Sequence, residues 1–126
     1  MEKRVLVIED EPNISEALRF ILTRNGWAVD VSADGLGALA RLRADPPDLL
    51  ILDLMLPDVS GFDILKALRA EDQTRALPVL MLTAKGQMAD RAEAERLGAT
   101  RFMTKPFANS EVVEAVRELA GSSGAP

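Results

Sequence analysis

The chain of 126 residues has no cysteine, no histidine and no tyrosine. Without cysteine there is no disulfide, no thiolate nucleophile and no cysteine-bound metal. Without histidine there is no Ser-His-Asp triad, no His-Glu-x-x-His zinc site and no phosphohistidine on the chain itself. Chemistry is left to carboxylates, hydroxyls, amines, backbone groups and a hard metal ion. No apolar run approaches the ~18 residues of a membrane span. The run Val5 to Ile8, closed by Glu9, is too short for a signal-peptide core. A soluble cytoplasmic protein without membrane association is the expectation. Lysine and arginine number 15 against 20 aspartate and glutamate, a net charge of −5. That sign argues against a nucleic-acid backbone as a direct partner of this chain.

Hydrophobic residues make up 48% and charged residues 28%, the balance of one ordinary globular domain with a real core. The runs Val5 to Ile8, Leu49 to Leu52 and Val79 to Leu82 are apolar without alternation. Such runs suit strands covered on both faces of a parallel sheet. Ala28 to Ser32 and Arg101 to Thr104 are less regular strand candidates.

Helical spacing fills the gaps. Ile14, Ala17, Leu18, Ile21 and Leu22 form one stripe, opened by Pro12 and stopped by Asn25-Gly26. Leu36, Leu39, Ala40 and Leu42 form a second that ends before Pro46-Pro47. Ile64, Leu65 and Leu68 mark a third after Ser60-Gly61, and the charged stretch Met88 to Leu97 a fourth before Gly98. Val112, Val113, Val116 and Leu119 stripe a fifth, with Asn109 or Ser110 as its expected cap. Alternation of five strands with five helices predicts an α/β doubly wound parallel sheet with helices on both faces. Residues 1–120 are read as the domain, and 121–126, small and flexible in composition, as a tail or linker stub.

In open α/β sheets the working site lies beyond the carboxyl ends of the strands. The first strand runs directly into Glu9-Asp10-Glu11 and the third into Asp53, which interrupts the otherwise apolar stretch Leu49 to Leu56. An acidic helix start explains the first group alone, and a strand-end turn explains the second alone. Together, at the ends of two buried strands, they favour a metal site, because clustered like charges repel unless a cation sits among them. Oxygen-only ligands select Mg²⁺ or Mn²⁺. Thr83 and Lys105 end two further strands. A hydroxyl and an ammonium beside a metal-loaded carboxylate make a receptor for a phosphoryl oxyanion. A carboxylate can accept that group as an acyl phosphate. Asp53 is then the nucleophile, with Glu9 and Asp10 holding the ion.

Four segments, in this order and spacing, resemble the receiver domain of two-component response regulators, and most the OmpR/PhoB-type, winged-helix transcription-factor branch. They are Val5 through Pro12, Asp53 through Gly61, Leu82 through Gly86, and Gly98-Ala99 through Phe102-Met103-Thr104-Lys105-Pro106-Phe107. The resemblance implies a (βα)5 flavodoxin-like three-layer sandwich with strand order 2-1-3-4-5. It implies Asp53 as phospho-acceptor, Mg²⁺ held by Asp10, Asp53 and the Met55 carbonyl, and Glu9 acting through a metal-bound water. Thr83 and Lys105 would contact phosphoryl oxygens, and Phe102 would be the switch aromatic. The Lys105-Pro106 bond would be cis. The implied donor is a sensor histidine kinase or phosphotransfer protein, and the implied readout is the face formed by helix four, strand five and helix five. Met55 and Lys85 stand where the family varies the speed of dephosphorylation.

One departure concerns self-association. The branch carries an acidic pair before the switch aromatic, whereas this chain has Thr100 and Arg101. That weakens the implied homodimer, with Arg91, Glu111 and Arg117 left as ion-pair partners. Alternative readings are a stand-alone single-domain regulator working through protein contacts, a docking module that is never phosphorylated, and a Mg²⁺-dependent aspartyl phosphatase. Against the phosphatase, the position two residues after Asp53, where a haloacid-dehalogenase-type enzyme places a second Asp, holds Met55. A Gly-x-x-x-x-Gly-Lys phosphate loop is missing. One Trp, four Phe and no Tyr are a poor supply of stacking rings for a flavin.

Overall fold

A computed structural model of the chain describes residues 3–84 and 88–124. The elements alternate without exception. β1 (Lys3–Ile8), α1 (Pro12–Arg24), β2 (Trp27–Ser32) and α2 (Gly35–Ala44) come first. β3 (Leu49–Asp53), α3 (Gly61–Ala70), β4 (Val79–Ala84), α4 (Met88–Leu97), β5 (Arg101–Lys105) and α5 (Asn109–Gly124) follow. The five strands form one sheet in the order β2-β1-β3-β4-β5, every neighbouring pair parallel. This is the α/β doubly wound, flavodoxin-like architecture expected from the alternation and the resemblance.

The unbroken apolar runs are explained by two separate cores. Leu6, Ile8, Leu50, Leu52, Val79 and Met81 face one way, against Leu42 of α2, Leu65 of α3 and Ala94 of α4. Val5, Val7, Leu49, Ile51, Leu80 and Leu82 face the other, against Leu18 of α1 and Val112 and Val116 of α5. Successive strand residues point to opposite faces, so a strand sandwiched between two helical layers needs an apolar residue at every position. At about 25 cal/mol per Å² of apolar surface removed from water, these two layers are the dominant stabilising term.

The edge strands differ for the same reason. β2 is half-exposed along most of its length and β5 buries only Met103 fully, which is why both carried the weaker sequence pattern. Over residues 90–97 of α4, Ala94 is the one buried apolar residue, with Leu97 partly buried beside it.

Local signals set the helix ends. Pro12 opens α1, and the chain leaves it through Asn25 and through Gly26, at φ +90°, where a side chain would be strained. Asp34 Oδ1 accepts the Gly37 N–H at 3.0 Å, and Ser60 Oγ accepts the Phe62 N–H at 3.1 Å, the expected N-cap chemistry. α5 differs from the sequence reading. Its first helical residue is Asn109, so the cap position belongs to Ala108, whose N–H donates to Glu111 Oε1 at 2.8 Å. The carboxylate three residues into the helix reaches back and does the capping itself, half of a capping box. α5 also continues to Gly124, into the stretch read as a tail, because extending an existing helix costs far less than nucleating one. Among the described residues no helix is long and apolar enough to cross a membrane.

Candidate functional site

Register brings the polar residues together. Ile8 pairs with Leu52, so Glu9 emerges level with Asp53, the last residue of β3. Asp53 pairs with Leu82, which places Thr83 one step beyond it, and Ala84 pairs with Lys105. Four neighbouring strands therefore deliver Glu9, Asp53, Thr83 and Lys105 to one end of the sheet. Glu9, Asp53 and Thr83 are buried and Asp10 is exposed.

Among the described residues one cation stands amid the carboxylates. Lys105 Nζ lies 2.7 Å from Glu9 Oε1, 3.2 Å from Asp53 Oδ1 and 3.8 Å from Glu11 Oε1. The Met55 N–H donates to Asp53 Oδ1 at 3.3 Å, and the Glu11 N–H reaches Glu9 Oε2 at 3.5 Å. The Lys105-Pro106 peptide bond is cis. Burial works against the charged amine of Lys105, but its hydrogen bond to Glu9 and the charges of Asp53 and Glu9 outweigh it and raise its pKa. Burial pushes the Glu9 carboxyl up to about 7, reinforced by its hydrogen bond with Asp53 and opposed by Lys105. Among the described residues one ammonium faces three carboxylates, Glu9, Asp53 and Glu11, and like charges crowded in this way favour a further cation.

The donor set fits a hard divalent cation. One carboxylate oxygen each from Glu9, Asp10 and Asp53 lies within 4.8 Å of the others, all ligands are oxygens, and one of the three residues faces solvent. Such a set suits Mg²⁺. Beside it, Thr83 Oγ1 is buried with no hydrogen-bond partner among the described residues. A buried hydroxyl left so costs about 1–3 kcal/mol and is poised for an oxygen-bearing ligand. The cluster opens into a cavity of about 530 Å³ whose walls include Asp10, Asp53, Met55, Lys105, Ile14 and Phe107.

The sequence had singled out Glu9, Asp10, Asp53, Met55, Thr83, Lys105 and Pro106, and the structure gathers all of them at this end of the sheet. Phe102 stands apart on β5, partly buried against the α2–α3–α4 core, in the clefts it shares with Arg91 and Arg101. Lys85 and Gly86 lie outside the described residues. Arg101 forms an ion pair with Glu118 of the same chain, and Thr100 Oγ1 accepts the Val79 N–H at 3.0 Å. Sequence reasoning assigned no role to Asp58 beyond its place in a motif. It accepts two backbone hydrogen bonds from α2, and only the proximity of two distant segments reveals them.

Comparison with known proteins agrees with this geometry. Residues 5–117 match the response regulator receiver domain family. TcrX of Mycobacterium tuberculosis, a probable transcriptional regulatory protein, is 42% identical over 120 residues, covering 95% of this chain and 50% of TcrX. PhoB of Escherichia coli, the phosphate regulon transcriptional regulatory protein, is 41% identical over 119 residues, 94% of this chain and 52% of PhoB. The chain thus spans about half the length of these relatives. The receiver domain of sensor histidine kinase PA1611 from Pseudomonas aeruginosa superposes with a TM-score of 0.87 at 26% identity. That superposition covers 96% of this chain and 99% of the other, which carries a magnesium ion in its active site cleft. A match over residues 5–117, on a 2-1-3-4-5 sheet whose end gathers carboxylates, a lysine and a buried hydroxyl, places this chain in the response regulator receiver domain family, with relatives of the PhoB type.

Proposed function

We propose that this chain accepts a phosphoryl group on Asp53 from a phosphohistidine of a sensor histidine kinase or phosphotransfer protein, and passes the change to an output surface. The observation that carries the reading is the convergence, at the acidic cluster, of Asp53 with Lys105 and with a buried Thr83 hydroxyl that has no partner among the described residues. An Asp53 carboxylate oxygen attacks phosphorus in line, the P–N bond to the donor imidazole breaks, and an acyl phosphate forms. Lys105 orients Asp53 beforehand and balances charge on the transferring oxygens, and the Thr83 hydroxyl donates to one of them. Asp10, Asp53 and the Met55 carbonyl would hold Mg²⁺ directly and Glu9 through a water, with Mn²⁺ as a substitute. When bound, the ion would supply positive charge beside the transferring group. Hydrolysis of the acyl phosphate, catalysed by the same site, resets the chain, which is otherwise not an enzyme.

For output, Thr83 drawn toward the phosphoryl group leaves space for Phe102 to rotate inward, biasing the α4-β5-α5 face between two states. Control of transcription through a further domain is the output we propose, because TcrX and PhoB are transcriptional regulatory proteins, with the cytoplasm as its place. The Arg101–Glu118 pair lies within the chain and favours an output that does not use the dimer typical of the branch.

Intact-mass measurement after incubation with acetyl phosphate and Mg²⁺ tests the proposal. One added phosphate on the wild type and none on Asp53→Ala is the expected result. Turnover of added phosphoesters would replace it with a phosphatase, and an unchanged mass with a docking module.

A further inference from the structure

A side chain of the loop between β3 and α3, that of Asp58, reaches out and bonds the start of α2. Asp58 Oδ1 accepts the Gly35 N–H at 2.9 Å and Oδ2 the Leu36 N–H at 3.0 Å. Asp34 takes the Gly37 N–H, so the first three N–H groups of α2 all end on carboxylates, two of them on a residue more than twenty positions away. A helix start can be capped by its own flanking residue or by water. Here Asp58 completes it, and among the described residues its two bonds are the hydrogen bonds joining this loop's tip to another element.

The packing around that contact leaves no slack. A Cβ on Gly35 would lie 2.3 Å from Val59 Cγ1 and 2.7 Å from Ile64 Cδ1, so α2 begins directly against the loop. At the loop's far end a Cβ on Gly61 would lie 2.5 Å from the Asp53 carbonyl oxygen. Met55 and Ser60 form an antiparallel bridge across the loop's base, and the Gly61 N–H donates to the Leu54 carbonyl at 2.9 Å. The bridge ties the base of this loop to Met55, whose N–H donates to Asp53 Oδ1.

We infer that Asp58 is a positioning residue: by bonding the start of α2 it fixes the β3–α3 loop, and so sets where the Met55 backbone presents its N–H to Asp53 and its carbonyl to the cation. The inference rests on the reading of Asp53 as phospho-acceptor. The two N–H donors also hold the Asp58 carboxyl below the ordinary carboxylate range, so the contact is made by the charged form. The neutral isostere Asp58→Asn keeps one acceptor oxygen and loses the charge. It should retain part of the effect, whereas Asp58→Ala retains none.

The test uses the full chain, wild type and both variants, each well below its melting midpoint. Calorimetric titration with Mg²⁺ should give a dissociation constant raised about tenfold in Asp58→Ala, with Asp58→Asn between. Labelling by acetyl phosphate should slow at low Mg²⁺ and reach wild-type stoichiometry at saturating Mg²⁺. In metal-free protein, hydrogen exchange at the Met55 amide should be faster in Asp58→Ala, a readout independent of the ion. Wild-type Mg²⁺ affinity and Met55 exchange in both variants, whatever their melting midpoints, would overturn the inference alone. A wild type that neither binds Mg²⁺ nor gains phosphate would bring down the functional reading with it.

Discussion

Lys105 Nζ sits 2.7 Å from Glu9 Oε1, an ion pair between the last residue of β5 and the residue just past β1. β5 is at one edge of the sheet and β1 is three strands away, so the lysine reaches across the site and over Asp53. This contact links the proton content of Glu9, the orientation of Asp53 and the entry of a cation.

The first prediction is pH dependence of metal binding. With Glu9 pushed up to about 7, part of the protein carries a proton there at neutral pH, and a cation drawing on that carboxylate must expel it. Mg²⁺ affinity should rise between pH 6 and pH 8 with proton release, read by titration in buffers of different ionisation enthalpy. Affinity independent of pH and of buffer would contradict the assignment.

A linked prediction concerns stability without metal. A carboxyl whose native pKa lies above its unfolded value of 4.5 binds its proton more tightly when folded. The stability it contributes is full below about pH 4.5 and is lost as pH rises through about 7. The metal-free melting midpoint should therefore fall across this window from the Glu9 contribution, and Mg²⁺ should reverse the fall. Glu9→Gln should flatten it.

Removing the acceptor's charge should stabilise the resting protein. Asp53→Asn deletes one of the crowded carboxylates while keeping the shape, so the metal-free form should gain about 1 kcal/mol in denaturant unfolding. The same variant should gain no phosphate. A loss of stability would mean that Lys105 needs Asp53 more than the cluster suffers from it.

Two glycines separate close approach from backbone conformation. Gly61→Ala pushes a methyl against the Asp53 and Leu54 backbone at 2.5 and 2.8 Å, atoms that cannot rotate aside. It should cost about 2–3 kcal/mol and also weaken Mg²⁺ binding. Gly26→Ala meets open space and carries only the cost of φ +90°, about 1 kcal/mol, with Mg²⁺ binding unchanged. Equal effects on Mg²⁺ would show that Gly61 does not hold the site.

Much of this protein is set by sequence alone. Continuous apolar runs at β1, β3 and β4 require burial on both faces, and Pro12, Asp34 and Ser60 start their helices by local rules. The acidic residues ending β1 and β3 were legible as a set: each alone has an ordinary explanation, but at the ends of two buried strands they crowd like charge together. Only the folded chain decided the rest. That Lys105 pairs with Glu9 as well as Asp53, that the buried Thr83 hydroxyl has no partner among the described residues, and that Asp58 completes α2 all depend on strand register and helix placement. The capping of α5, expected of Asn109 or Ser110, is made by Glu111 through its hydrogen bond with the Ala108 N–H. Periodicity records which residues are buried, whereas distances between side chains far apart in the chain exist only once the sheet has assembled.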